Sequence, residues 1–446
     1  MMMKNRQDGL ILLLLGAAIL LVVGPALHFM LTNSMADFRG VYNATQCMFE
    51  HRDPYRVNTM DDKHREFGDR NLPGFGVPRF NVPLYVYLPP STGIFLPFAL
   101  LQWKAAELLW TFCFAVCIVL AAYLTWNLAA VHAPRISGGL ICILLANCVV
   151  VFANGNPAGL AVALCVIGTW CLVSERFVSV GVICLALSLM IKPHDSGLVW
   201  LCFFLPGGTY RKRSLLTVAA VVLLGLPTLF WMGQVSPHWI GELRANLAAL
   251  GGHGGLSDPG PAGPFSLSIQ PIIDLQSAVA YLRDDPTIYI PVSYAICGVL
   301  TAIWAIVSML RAPTSRRELW FSIAFGSVLT MLVTYHRPYD AKLLLLTVPA
   351  TAILWSEGGI TGWVAIVISF FGIVFTGEIP LAAMGTLTGK LGVANSGFSE
   401  KLLTVAIARP ASLVLLMMGV FYLWVYVRRT GEMKKTASPR QALANC

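Results

Sequence analysis

The chain has 446 residues, of which 57% are apolar and 12% charged, with a mean hydropathy of +0.70. Soluble domains carry about twice that share of charge, so an ordinary water-soluble enzyme is excluded. The formal charge of +9 lies in short clusters between apolar segments, which marks membrane topology and not a nucleic-acid footprint.

The first apolar segment, Gly9 to Leu31, is long enough at 1.5 Å per residue to cross a bilayer core, and no small-x-small cleavage site follows it. It reads as a retained span. The polar stretch that follows, 32–105, carries seven acidic and seven basic residues within 32–90, a balance that suits a folded extramembrane element. Just past the first span, Asp37 opens a run in which Phe38, Val41, Tyr42, Thr45, Met48 and Phe49 recur at helical spacing. This predicts an amphipathic helix lying in the membrane surface. A carboxylate there suits proton abstraction from a hydroxyl at the water–lipid boundary, or a plain first-turn acid interacting with the helix dipole. Next, Glu50-His51-Arg52-Asp53-Pro54-Tyr55 reads as a turn, because Asp-Pro initiates turns readily. The stiff aromatic run Pro83 to Pro90, with Tyr85 and Tyr87, leads the chain back to the membrane. Segment 91–103 is apolar but short and is expected to be re-entrant or interfacial.

Breaks in hydropathy give twelve candidate spans near 9–31, 106–126, 139–153, 157–174, 178–191, 195–206, 215–233, 288–310, 319–334, 340–356, 360–376 and 410–427. With the amino terminus inside, twelve crossings place every Lys/Arg cluster on the cytoplasmic side: Lys4 with Arg6, Arg135, Arg176, Arg211 to Arg213, Arg311 with Arg316 and Arg317, and the tail 428–446. Two long segments, 32–105 and 234–287, then lie outside. The outer turns collect the unusual polar residues: Asn154-Gly155-Asn156-Pro157, Lys192-Pro193-His194-Asp195, and Tyr335-His336-Arg337-Pro338-Tyr339-Asp340 with Lys342. A lone lysine at a span end snorkels by default. A His-Arg pair in a short turn facing the same compartment as Asp37 suits a phosphate.

The second outer segment holds Gly251-Gly252-His253-Gly254-Gly255 and the Pro/Gly run 259–264, a composition expected of a lid or a linker. Nine of the eleven cysteines fall in apolar segments, Cys47 is alone in its loop and Cys446 is terminal, so no disulfide framework is expected. The histidines lack metal-ligand spacing, and no cofactor is expected to be required, a carboxylate-held divalent cation being left open. No internal repeat relates the two halves, which weighs against a transporter or flippase, the rival class.

The order of these features resembles the GT-C superfamily of integral-membrane glycosyltransferases, and most closely glycosyltransferase family 87, the polyprenyl-phosphate-mannose-dependent mannosyltransferases. The matching residues are Asp37-Phe38 with Tyr42 and Ala44, Asp53-Pro54-Tyr55, Tyr87-Leu88-Pro89-Pro90, Asn154-Gly155-Asn156, Ile191-Lys192-Pro193 and the late turn with His336. They cover most of the first 200 residues and the rest weakly. The chain departs from the family pattern at His51-Arg52, at Val41-Tyr42, at Leu88 and at Asn156, where the family usually has Gln. The resemblance implies one all-α transferase domain over 1–446, with Asp37 as general base for an acceptor hydroxyl, and His336, Arg337 and Lys192 on the donor phosphate. Tyr42, Asp53, Tyr55, Tyr87, Asn154, Asn156 and Asp340 would shape the substrate pocket. It also implies a polyprenyl-phosphate sugar as donor, a lipid or glycan acceptor, and an active site on the outer or periplasmic face of a bacterial inner or plasma membrane.

Overall fold

The computed structural model describes residues 2–30, 35–66, 84–147, 149–264, 271–311, 315–391 and 398–437. Among them the chain is helical, with no strand. The helices are α1 (Met2–Met30), α2 (Ala36–Phe49), α3 (Val57–Glu66), α4 (Pro89–Ala99), α5 (Trp103–Ala129), α6 (Pro134–Ala146), α7 (Val150–Asn154), α8 (Pro157–Ser174), α9 (Val178–Ile191) and α10 (Pro193–Phe204). They continue with α11 (Gly208–Val235), α12 (Trp239–Gly251), α13 (Leu275–Leu282), α14 (Pro286–Leu310) and α15 (Arg316–Val333). A 3-10 helix (Asp340–Thr347) runs into α16 (Val348–Glu357), followed by α17 (Gly359–Phe375), α18 (Glu378–Leu391), α19 (Phe398–Ala408) and α20 (Pro410–Ala437). Asn33, Ser34, Pro83, Cys148, Phe265, Ser266 and the chain beyond 437, with Cys446, lie outside the described residues.

Seven segments are long and apolar enough to cross a bilayer: Lys4–His28, Trp103–Ala129, Pro134–Asn154, Pro157–Ser174, Gly208–Val235, Pro286–Leu310 and Pro410–Thr430. The protein is an all-α polytopic membrane protein. These seven match seven of the twelve expected spans; of the other five, 319–334 and 360–376 form the single helices α15 and α17 of 18 and 17 residues, and the remaining three are built differently. Helices α9 and α10 have 14 and 12 residues, so they reach only about 21 and 18 Å, well short of a bilayer core of about 30 Å. Pro193 separates them: it cannot extend α9 and it pushes Lys192 into an extended conformation (φ −149°, ψ 83°). The expected span 340–356 opens with eight residues of 3-10 helix, an unusually long run.

Two apolar cores organise the bundle. The larger one is centred on α8, which is buried nearly all round, whereas α11 and α14 expose apolar rows such as Leu223, Phe230, Val299 and Ile306. Those rows are the lipid-facing surface expected of a spanning bundle. The smaller core joins α2, α4 and the start of α5, where the Phe38 ring stacks on Trp110 with centroids 4.6 Å apart.

Helix α2 forms where the periodicity predicts it, but it does not lie on a lipid surface with one face free. Phe38, Gly40, Val41, Tyr42, Asn43, Ala44, Thr45, Cys47 and Met48 are all buried, so it is packed into protein on most sides. Its start is clamped to the turn before α8. The Met35 N–H donates to the Ala153 carbonyl, and the Trp110 indole N–H donates to the Gly155 carbonyl at 3.1 Å. Gly155 has φ +62°, and a Cβ there would run into the Met35 sulfur and lie 2.9 Å from the Phe38 Cβ. Only glycine fits that contact.

The far end of α2 is tied to α3 by ion pairs: Lys63 with Glu50 and Glu66, and Arg52 with Glu66 at 2.9 Å. The second long segment is more ordered than a linker. It contains α12 and α13, and its residues 254–260 are folded around Asp258, whose carboxylate accepts from the Gly254 and Gly260 N–H groups.

Candidate active site

Asp37 sits in the first turn of α2, and the turn that clamps this helix also supplies its partner. Asn156 is the N-cap of α8: its Oδ1 accepts from the Ala158 N–H at 2.9 Å, ahead of Pro157 at the first helical position. With the oxygen committed to the cap, the amide nitrogen is aimed outward, and it donates to Asp37 Oδ2 at 2.7 Å. Burial pushes the Asp37 carboxyl above the ordinary carboxylate value of 3.8, opposed by the Asn156 hydrogen bond and by the positive charges of Arg337 and Lys192. Three segments far apart in sequence therefore meet at one carboxylate.

Lys192, at the α9–α10 break, is buried, and its ammonium donates to Asp340 Oδ1 and lies 3.5 Å from Asp195 Oδ1. Asp340 also receives the Arg337 backbone N–H on its other oxygen at 2.8 Å, which fixes the turn that carries His336 and Arg337. His336 is fully buried. Its Nδ1 lies 2.7 Å from the Thr334 carbonyl, so Nδ1 carries the hydrogen and Nε2 faces inward. Nε2 comes within 3.1 Å of Asp195 Oδ1 without hydrogen-bond alignment, and neither Asp195 oxygen has a hydrogen-bond donor.

The Arg337 guanidinium donates to the Leu256 carbonyl at 2.7 Å and lies over the Tyr335 ring at 5.4 Å. The neighbouring anionic and phenolic groups, Asp37 among them, favour its charged form. The Ile273 N–H donates to the His336 carbonyl at 2.9 Å, so the second long segment packs against the same turn from both sides of 265–270. Tyr87 faces the same place. Burial raises its hydroxyl well above the usual value of 10, and the charges of Asp37 and Asp340 push in the same direction.

The remaining pocket candidates have structural partners. Tyr42 donates to the Leu101 carbonyl at 2.7 Å and receives the Gln46 amide at 2.8 Å, bracing α2 against the α4–α5 connection. Asp53 accepts from the Tyr55 N–H at 3.0 Å and lies 3.6 Å from Arg56, which bridges on to Glu242 of α12. That is the turn that Asp-Pro predicts, and Asp53 is not among the charges acting on Asp37. Tyr55 donates to the Tyr87 carbonyl at 2.7 Å, so its part is to hold the backbone of Tyr87 in place. Asn154 ends α7 and is half-buried beside Gly155.

The sequence model of glycosyltransferase family 87 matches residues 85–334, more than half of the chain. The chain belongs to glycosyltransferase family 87. No curated protein and no solved structure matches it. Membership makes it a membrane glycosyltransferase of the GT-C type and removes the transporter reading. The matched segment starts at Tyr85, not near the amino terminus: it contains Tyr87, Asn154, Asn156 and Lys192, while Asp37, His336, Arg337 and Asp340 lie outside it.

In this family 87 chain the residues that the sequence reading placed in an outer turn but gave no role are His194 and Asp195. Both stand in the Lys192-Pro193-His194-Asp195 turn, and their link to His336 depends on a contact across more than 140 positions. Ligand atoms of His194, Asp195 and His336 lie within 4.8 Å of one another, the set among the described residues able to hold a metal ion. Lys192, 3.5 Å from the same carboxylate, already supplies a cation there.

Proposed function

We propose that this glycosyltransferase moves a sugar, with mannose as the first candidate, from a polyprenyl-phosphate donor to a lipid or glycan hydroxyl on the outer face of the membrane. The observation that carries the reading is the meeting of one carboxylate with two cations: Asp37, held by Asn156, lies in the field of Lys192 and Arg337. Transfer of this kind needs a base on one side of the anomeric carbon and positive charge for a phosphate on the other.

In the proposed step the acceptor oxygen attacks the anomeric carbon as its proton passes to Asp37. The bond from that carbon to the phosphate oxygen breaks and its electron pair leaves with the phosphate, inverting the configuration. The departing group is already ionised, so no acid is required. Lys192 and Arg337 stabilise its growing charge, and His336 joins them in the form in which Nε2 also carries a hydrogen. A partly dry site strengthens each of these contacts. An orientation with both termini cytoplasmic, the short α9–α10 pair entering and leaving on one side, would bring all of these groups to the outer side. A cysteine replacing the exposed Ala262 in a thiol-free background should then react with an impermeant reagent from outside; reaction from the cytoplasmic side alone would reverse that orientation.

The donor end is tested by Arg337→Ala and Arg337→Lys with a labelled polyprenyl-phosphate mannose. A charge-assisted contact is worth about 1.5–3 kcal/mol, so Arg337→Ala should raise the donor KM roughly 10- to 100-fold, with partial recovery in Arg337→Lys. An unchanged donor KM in both variants would take Arg337 off the phosphate.

A further inference from the structure

Asn156 makes two hydrogen bonds that constrain each other. Its Oδ1 is held by the Ala158 N–H at the start of α8, which leaves the amide N–H groups, and not the oxygen, pointing at Asp37. The contact would be repulsive with the amide reversed, so the helix cap decides which end of the side chain the carboxylate meets. Among the described residues no other hydrogen bond reaches the Asp37 carboxylate. We propose that Asn156 is the positioning residue of Asp37: it holds Oδ2 and leaves Oδ1 to receive the proton of the acceptor hydroxyl.

The inference rests on Asp37 being the base. Its further content is that a helix N-cap is coupled to the reacting group, so the rigid start of α8 sets the direction of proton transfer. The Met35–Ala153 and Trp110–Gly155 hydrogen bonds lock the two backbones that carry the pair, which keeps the 2.7 Å contact from depending on a flexible loop. The other groups around Asp37 are accounted for. The positive charges of Arg337 and Lys192 act on it from the two remaining turns, and Tyr87 and Tyr339 are close enough to feel its charge. Asp340 and Asp195 stand behind Lys192. Helices α4 and α7 bring no charged side chain to α2, and the Lys63–Glu50 pair of α3 lies at its opposite end.

The deciding variant is Asn156→Asp, which keeps a good capping oxygen but replaces the donor with a second carboxylate. Two carboxylates in contact hold a shared proton, so the base is lost at lower pH and regained at higher pH. The acid limb of kcat against pH should move up by about one to two pH units, costing roughly 10- to 100-fold at pH values below the parent midpoint with recovery above the new one. Asn156→Ser, which caps the helix without an amide donor, should move the limb in the same direction by less, and it serves if Asn156→Asp fails to fold. A limb that stays in place while the rate falls equally at all pH values would reduce Asn156 to a helix cap and overturn the proposal. Asp37→Asn, measured alongside, separates the two levels: if that variant keeps transferring sugar, the reading of Asp37 fails whatever Asn156 does.

Discussion

Asp37→Asn should lose sugar transfer by about 10² to 10⁴-fold, the range typical of removing a general base, while the protein keeps its thermal midpoint. Stability should hold because burial already disfavours the charged carboxylate, and an asparagine oxygen can still accept the Asn156 amide. In the parent enzyme, the rate should rise with pH along a limb whose midpoint lies above 3.8, since the Asp37 carboxyl is pushed up and must be ionised to act. Asp53→Asn is the matched control. Its oxygen accepts the Tyr55 N–H to shape a turn that Asn also makes, so transfer should stay near normal. The measurement is incorporation of label from a polyprenyl-phosphate sugar in membranes carrying each variant. Near-normal transfer by Asp37→Asn, with loss in Asp53→Asn, would move the base to the other carboxylate.

The parts of this site that could be read from sequence are those where a single residue type already implies a job. Lys192, His336 and Arg337 stand out because charge at the end of an apolar run is costly, and Asp37 stands out as an acid just beyond a span. What could not be read is which of them touch. The tyrosines and Asp53 came as pocket residues from the family resemblance, while the residues themselves read Asp53 as part of a turn. Tyr42, Asp53 and Tyr55 instead spend their polar atoms on Leu101, Tyr55 and Tyr87 of their own loop. The periodicity of α2 predicted one buried face, but Gly40, Asn43 and Ala44, which are off that face, are buried too. On the predicted face the Thr45 hydroxyl donates to the Val41 carbonyl, so its polarity is satisfied inside the helix. The number of full-length spans was legible only where helices are uninterrupted. A short apolar run such as 178–191 looks the same whether it crosses or stops at a proline halfway, and the Lys192-Pro193 break puts the buried cation at the end of such a stop.

That break makes Lys192 the residue whose loss should be felt in both stability and catalysis, and the two effects can be separated. Its ammonium faces two fully buried carboxylates, Asp340 and Asp195, and Asp340 also anchors the Arg337 backbone. Lys192→Gln would leave that acidic pair without its cation, and breaking one side of a buried pair costs about 3–5 kcal/mol. A marked fall in thermal midpoint, together with loss of transfer, is the expected result. Lys192→Gln/Asp340→Asn removes the charge from both members of the hydrogen-bonded pair. It should recover much of the stability, because a neutral amide at 340 can still accept the Arg337 N–H. Were Lys192 only a structural partner, activity would return along with the midpoint. If its charge also meets the donor phosphate, the double variant should fold like the parent yet keep a donor KM raised roughly 10-fold or more, the size of one charge-assisted contact. Full recovery of both midpoint and donor KM would confine Lys192 to the scaffold and leave His336 and Arg337 to hold the phosphate.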